Sequence, residues 1–337
     1  MRIGIIGCGF WAGYQVAAWR EADPRLEFAF CDRAEEAAQA LAERFGPAPW
    51  YGEAEAMLNA EVLDAVDIIS SPDTHAALTE LVAARGLPVI CQKPLAPTHE
   101  AAQSMVQVCQ EAKVPLYVHE NFRWQQPIRH LKKLLDSDAI GTPFRARLYF
   151  NSAFPVFDNQ PFLAQLERMM LADVGVHLLD VSRFLFGEVT RLFCRTQRVN
   201  PGIQGEDVAT LLLETAGGMT VTVEMSYASV VDYECFPQTL VEVEGNRGSV
   251  RLGPDFRFTV TTREGQQTEQ LTLPTYDWVH PQYAVVQSSM VEIHRHFLAG
   301  LRDGKAVETS GADNLKTLRL VEAAYDSAER REAVGIK

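Results

Sequence analysis

The first dozen residues limit the fold more than any other stretch. Arg2-Ile3-Gly4-Ile5-Ile6 is a short apolar run, and Gly7-Cys8-Gly9-Phe10-Trp11-Ala12 follows it directly. A helix-like segment, Tyr14 to Arg20, comes next. Strand, G-x-G-x-x-A turn and helix in that order open a doubly wound sheet that binds a dinucleotide. Gly7 allows a tight turn, and Gly9 lets backbone come close to a pyrophosphate. Ala12 is small enough for the helix to pack on the strand. The N–H groups of the helix start then face the phosphates. The next apolar run, Leu26 to Cys31, ends on Asp32. A carboxylate there accepts from both adenosine ribose hydroxyls and repels a 2′-phosphate, which favours NAD; Arg33 partly offsets that repulsion. Phe10 and Trp11 are placed to shield the cofactor, although core packing is the commoner fate of aromatics.

Up to about residue 120 the chain keeps alternating. Apolar runs at 3–6, 26–31, 65–69, 87–91 and 115–118 read as buried parallel strands. Helical segments at 34–45, 74–85 and 99–112 lie between them. After residue 140 the pattern changes. Alternating segments at 144–152, 189–199, 207–215, 219–228, 238–245, 248–253 and 256–262 read as strands, several joined by hairpin signals such as Gly245-Asn246-Arg247-Gly248. One amphipathic helix, about 166–186, lies inside this run, and helices near 283–302 and 311–331 end the chain. The expected organisation is an α/β Rossmann domain over 1–120, an α+β domain on an open, mainly antiparallel sheet over 121–310, and a C-terminal helix over 311–337.

Composition narrows the partners. A net charge of -13 argues against nucleic acid or an anionic membrane surface. No apolar run approaches membrane-spanning length, and the opening strand does not look like a secretion leader. Six scattered cysteines without a C-x-x-C pair read as buried, reduced thiols, with no metal site, in a cytoplasmic protein.

Three clusters carry chemistry. Cys91-Gln92-Lys93-Pro94 ends a strand at the edge where such sheets bind ligands. A lysine there can donate to a substrate oxygen, and beside a cationic nicotinamide its ammonium form is disfavoured. A cis Lys93–Pro94 peptide would turn that lysine out of the sheet. Asp173 and His177 stand four apart on the expected helix and share a face. A carboxylate that orients an imidazole makes a general base, but a plain helix pair fits that spacing equally well. Gly175 between them hints at close approach by another group. His119-Glu120-Asn121-Phe122-Arg123 follows the last parallel strand, and Asn121 and Arg123 are hinge or substrate contacts. Ser71 and His75, at a helix start, are candidates for the nicotinamide ribose, with His75 equally a plain first-turn helix residue, and Gln92 is a candidate for the cofactor. His294 and His296 have no acidic or cysteine partner at ligand spacing and read as structural.

Taken in order, Gly7-Cys8-Gly9, Gln92-Lys93-Pro94 and Asp173 through His177 to Asp180 resemble the glucose–fructose oxidoreductase / inositol dehydrogenase / rhizopine-catabolism (Gfo/Idh/MocA) family. The resemblance covers nearly the whole chain. It implies NAD, a small sugar substrate, a catalytic group of Lys93, Asp173 and His177, and a homodimer or homotetramer built through the C-terminal sheet. Gln92 stands where the family usually has Glu; it keeps a hydrogen bond but supplies no negative charge. The strings His119 to Arg123, Gly205 to Thr210 and Phe236 to Glu242 are similar to an aldose-oxidising branch of the family. Rivals are an inositol dehydrogenase, an NAD-dependent glycosidase that recycles its cofactor, and a non-catalytic dinucleotide-sensing regulator, which would not need Lys93, Asp173 and His177 together.

Overall fold

The structure, a computed structural model, describes residues 1–336. It divides into two compact units. The first comprises Met1–Asn121, Thr275–His280 and Gln287–Lys316; the second comprises Phe122–Pro274, Pro281–Val286 and the remainder from Thr317.

The first unit holds strands β1 (Arg2–Ile6), β2 (Glu27–Cys31), β3 (Trp50–Tyr51), β4 (Ala65–Ile68), β5 (Val89–Gln92) and β6 (Leu116–His119). Helices α1 (Phe10–Ala22), α2 (Glu35–Arg44), α3 (Ala54–Ala60), α4 (His75–Ala83) and α5 (His99–Glu111) connect them. The strand order is β3-β2-β1-β4-β5-β6, and every pair is parallel. Ile3, Ile5, Ala65, Val66, Val89 and Ile90 are fully buried, as strands with both faces covered must be. The order reverses between β1 and β4, and the glycine turn lies at that switch point.

The later segments that belong to this unit complete it through long-range bonds. The Val118 N–H donates to Thr309 O at 2.8 Å, and Tyr117 pairs with Ser310 across the open edge of β6. From helix α9 (Ala284–Asp303), His294 stacks on Trp19 at 3.7 Å and Phe297 on Tyr117 at 5.3 Å. Residues 287–316 therefore pack with the first unit, in contrast to the unbroken second domain to residue 310 that the sequence pattern suggests.

The second unit opens with α6 (Gln126–Asp136), β7 (Pro143–Asn151), α7 (Val156–Asn159) and α8 (Val176–Phe186). Strands β8 (Val189–Gln197), β9 (Val208–Thr215), β10 (Thr220–Ser226), β11 (Leu240–Gly245), β12 (Gly248–Gly253), β13 (Arg257–Thr262), β14 (Gly265–Gln270) and β15 (Val334–Gly335) follow. They form one sheet in the order β14-β13-β12-β11-β7-β10-β9-β8-β15. Only β7 and β10 run parallel to each other in the described sheet; the other pairs are antiparallel. Alternation sorts the two faces. Leu148, Leu211, Val221, Val223 and Val243 are buried, while the other face carries cross-strand pairs such as Arg145–Glu244 and Arg147–Glu224, at 2.7 and 2.8 Å. No helix among the described residues is long and apolar enough to cross a membrane.

Candidate active site

The glycine turn in the first unit fits a dinucleotide. Gly7 has φ +95°, and a Cβ on it would lie 2.6 Å from the Ser70 amide nitrogen, so no other residue sits there without strain. Around Gly9 the reverse holds: nothing lies within 4 Å of where its Cβ would be, which is room for a phosphate against the start of α1. Asp32 is half-buried at the end of β2; its carboxylate accepts the Cys8 N–H at 2.7 Å and the Ala34 N–H at 2.9 Å. The acid thus holds the glycine turn itself, and a carboxylate retains lone pairs for ribose hydroxyls. Arg33 and Ser71 are exposed.

Phe10 stands out at 81% exposed, while Trp11 is half-buried and packs beside Tyr14, Tyr276 and Trp278 against Ala18 and Met290. Trp278 also lines an open depression with Gly9, Phe10, Gly13, Tyr14 and Arg44. Its placement left no mark in the sequence, because it arrives from a segment more than 250 residues away.

Lys93 is half-buried just past the end of β5, and its peptide bond to Pro94 is cis, as expected. Two neighbours expected at the cofactor are engaged in internal hydrogen bonds. His75 is fully buried; its Nδ1 faces the Pro94 and Leu95 carbonyls at 3.2 and 3.1 Å, and its Nε2 faces Ser70 O at 3.1 Å. Burial lowers its pKa. It ties the lysine turn to the end of β4. Gln92 has both ends of its amide engaged internally, donating to Gln15 Oε1 at 2.8 Å and accepting from the Lys93 N–H at 2.7 Å. Asn121, expected as a hinge or substrate contact, is buried and donates to Ser289 Oγ at 2.9 Å.

In the second unit Asp173 and His177 flank a change of helix type. Leu171–Gly175 forms a π-turn, and the α-helix begins only at Val176, so the regular helix expected from 166 is absent. Such turns are frequent at functional sites. A Cβ on Gly175 would come within 3.3 Å of both Leu171 and the Met225 sulfur, which is the close approach its presence implied. His177 is buried, and its ring stacks on Phe122 at 3.9 Å and 7°. Tyr227 faces Asp173: burial pushes its pKa well up, and the carboxylate adds to the shift.

Arg123 does not extend towards open space. It is buried, and its Nε donates to Asp180 Oδ2 at 2.7 Å while a second nitrogen bonds the other oxygen. Its partner lies on the same helix as His177. Glu206 was missed as well. Its carboxylate accepts the Met169 and Leu171 N–H groups at 3.3 and 3.1 Å and the Tyr325 hydroxyl at 2.8 Å. It satisfies the donors left open where the π-turn starts. Its place in Gly205-Glu206-Asp207-Val208 was the one available signal. Among the described residues no cluster of three or more His, Cys, Asp or Glu could hold a metal ion, and of the six free cysteines only Cys235 is not buried.

A glycine cradle with open space at Gly9 and an acid after β2 fit the cofactor domain of an NAD-dependent oxidoreductase of CH–OH groups. Residues 1–120 match the oxidoreductase family with an NAD-binding Rossmann fold, and residues 128–251 match the GFO/IDH/MocA C-terminal domain. The chain belongs to the Gfo/Idh/MocA oxidoreductase family. It is 48% identical to a D-apiose dehydrogenase of Paraburkholderia graminis, covering 99% of this chain and 89% of that protein. It is 43% identical to another D-apiose dehydrogenase, from Rhizobium rhizogenes, over 98% and 96%. A crystal structure of an oxidoreductase from Agrobacterium radiobacter in complex with NAD+, L-tartaric acid and magnesium superposes with a TM-score of 0.96 at 42% identity, covering 100% and 98%.

Proposed function

We propose that this chain is an NAD-dependent aldose dehydrogenase that oxidises D-apiose at its anomeric carbon and releases the lactone. The observation that carries the chemistry is the π-to-α junction, which puts an acidic residue, Asp173, one turn before a buried imidazole, His177. The choice of sugar is supported by the two D-apiose dehydrogenases, 48% and 43% identical over almost the full chain.

His177 takes the proton from the reacting hydroxyl, and Asp173 orients the ring and stabilises the imidazolium that forms. Lys93, just past the end of β5, is a hydrogen-bond donor for a substrate oxygen. The glycine turn and Asp32 would hold NAD, which when bound would supply the hydride acceptor for the carbon. Phe122 covers one face of the imidazole and limits water there. We further infer a homo-oligomer through the outer face of the nine-stranded sheet, where Leu212 is 48% exposed opposite Phe193 and Thr222, and a cytoplasmic location. Sedimentation of the purified protein tests the first; a monomer at micromolar concentration refutes it.

Purified enzyme is offered NAD and a panel of free sugars and cyclitols: D-apiose, other pentoses, hexoses and inositol. D-apiose should give the highest kcat/KM for net NADH formation. A different best substrate overturns the sugar but keeps the chemistry. No net NADH on any free sugar, with turnover of a glycoside instead, points to the cofactor-recycling glycosidase.

A further inference from the structure

A line of buried side chains runs under the lysine turn of the first unit. Asp67, on β4, is fully buried. Its carboxylate accepts from Gln15 Nε2, 2.9 and 2.7 Å from its two oxygens, and from Trp19 Nε1 at 2.8 Å. Gln92 Nε2 donates to Gln15 Oε1 at 2.8 Å, and Gln92 Oε1 accepts the Lys93 N–H at 2.7 Å. The line joins the cofactor helix α1 to the end of β5.

Donor and acceptor rules give it one sense. A carboxylate only accepts, so Gln15 turns its NH2 to Asp67 and its oxygen to Gln92. Gln92 must then turn its NH2 to Gln15 and its oxygen to Lys93. The two ends leave no choice of amide flip in the middle. Burial pushes the Asp67 pKa up, to about 6, against the hydrogen bonds from Trp19 and Gln15; at neutral pH it remains the acceptor-only ion.

We propose that Asp67 is a positioning residue for Lys93, setting the sense of the Gln15–Gln92 line and so fixing the lysine's own peptide N–H against the cofactor helix. This rests on the reading of Lys93 as part of the catalytic group. It also explains why an amide works at position 92. A glutamate there would put its oxygen against Gln15 Oε1, acceptor to acceptor.

The test is a pair of substitutions that should harm singly and repair each other. In Asp67→Asn, the new NH2 lacks an acceptor unless the line reverses, and reversal drives the Gln92 NH2 against the Lys93 N–H. In Gln92→Glu, two acceptors meet at Gln15. In the double variant every donor finds an acceptor. The asparagine introduced on β4 takes the Trp19 bond through its oxygen and donates to Gln15. Gln15 then donates to the carboxylate introduced at the end of β5, and that carboxylate accepts from the Lys93 N–H. The total charge is unchanged. Each single variant should lower kcat about tenfold or more, as buried hydrogen-bond mismatches do, with NAD affinity within about threefold of the parent enzyme. The double should return to within about threefold of parental kcat. A double no better than the poorer single overturns the proposal.

Hydrogen exchange at the Lys93 amide reads the line without relying on activity. It should be fast in both singles and slow again in the double; unchanged protection in the singles refutes the proposal. Lys93→Met separates the two claims. Near-parental kcat in that variant removes the catalytic reading of the lysine, and the exchange data still decide whether Asp67 sets the line.

Discussion

Asp180→Asn is expected to destabilise the second unit far more than its size suggests. The Asp180 carboxylate is 1% exposed and faces two buried guanidinium groups, Arg123 and Arg183. Arg123 binds it through two nitrogens, Arg183 Nη1 lies at 4.0 Å, and Thr317 Oγ1 donates at 3.2 Å. Arg183 has a second carboxylate, Glu188, at 2.9 and 3.0 Å. Asparagine keeps the shape but removes the charge and turns an NH2 towards other donors. Breaking a buried ion pair from one side costs about 3–5 kcal/mol. At roughly 2–4 °C per kcal/mol for a body of this size, the melting temperature should fall by about 6–20 °C. Scanning calorimetry without nucleotide measures it. The companion variant Arg123→Met with Asp180→Leu removes both charges, leaves Arg183 its Glu188 partner, and should recover at least half of the loss, because apolar replacement of a whole buried pair is often nearly neutral. An Asp180→Asn protein that melts within about 2 °C of the parent, or a companion variant as weak as the single one, refutes this account of the ion pair.

Three further outcomes are expected. His177→Ala should lower kcat by about 10²–10⁴-fold with NAD affinity nearly unchanged, and adding Asp173→Asn should cost much less than the product of the two separate effects, since the pair acts as a unit; near-parental kcat in His177→Ala would make Lys93 the base instead. Asp32→Ala removes both the proposed ribose acceptor and the partner of the Cys8 N–H, so the preference for NAD over NADP by kcat/KM should narrow; a parent enzyme that favours NADP contradicts it. The third outcome is a pH effect with two opposing parts. His119, pulled down to about 4 by burial from an ordinary value of about 6.5, contributes stability that is present above the ordinary value and lost as pH falls, by about 3 kcal/mol in all. Asp67, raised to about 6 by burial, holds its proton more tightly when folded, so acidification from about 6 towards 4 adds roughly 3 kcal/mol. Asp67→Asn removes that offset, and urea midpoints between pH 7 and 4.5 should fall more steeply than in the parent; parallel curves refute it.

Several parts of this molecule were legible in advance because their causes are local. The glycine turn, the acid after β2 and the buried strands of the first sheet each follow from residues within a few positions of one another. Trp50–Tyr51 is only two residues long and carries no period, and α3, α6 and β14 likewise have no counterpart among the segments that the sequence pattern marks. The π-turn escaped because an extra residue in one turn leaves the i, i+4 spacing of Asp173 and His177 intact. Arg123, Gln92, His75 and Glu206 show a different limit. Apart from the Lys93 N–H on Gln92 and the Ser70 carbonyl at His75, their partners lie 57, 77, 19 or 20, and 35 or more residues away, and no spacing rule distinguishes a guanidinium awaiting substrate from one paired with a distant carboxylate. The parallel pairing of β7 with β10, inside an otherwise antiparallel sheet, is hidden for the same reason.

The stack of Phe122 on His177 has an entropic consequence. With a phenyl ring lying flat on it at 3.9 Å, the imidazole cannot turn about its χ2 torsion unless its neighbour first moves away. That freedom is surrendered once, when the second unit folds, where it is one small part of the cost of ordering buried side chains. It is not surrendered again at each turnover. With His177 as the proposed base, the ordering that a mobile base would charge to every activation barrier is transferred to the folding equilibrium, and a smaller residue at 122 should show itself as a more negative activation entropy before it shows as a lower melting point.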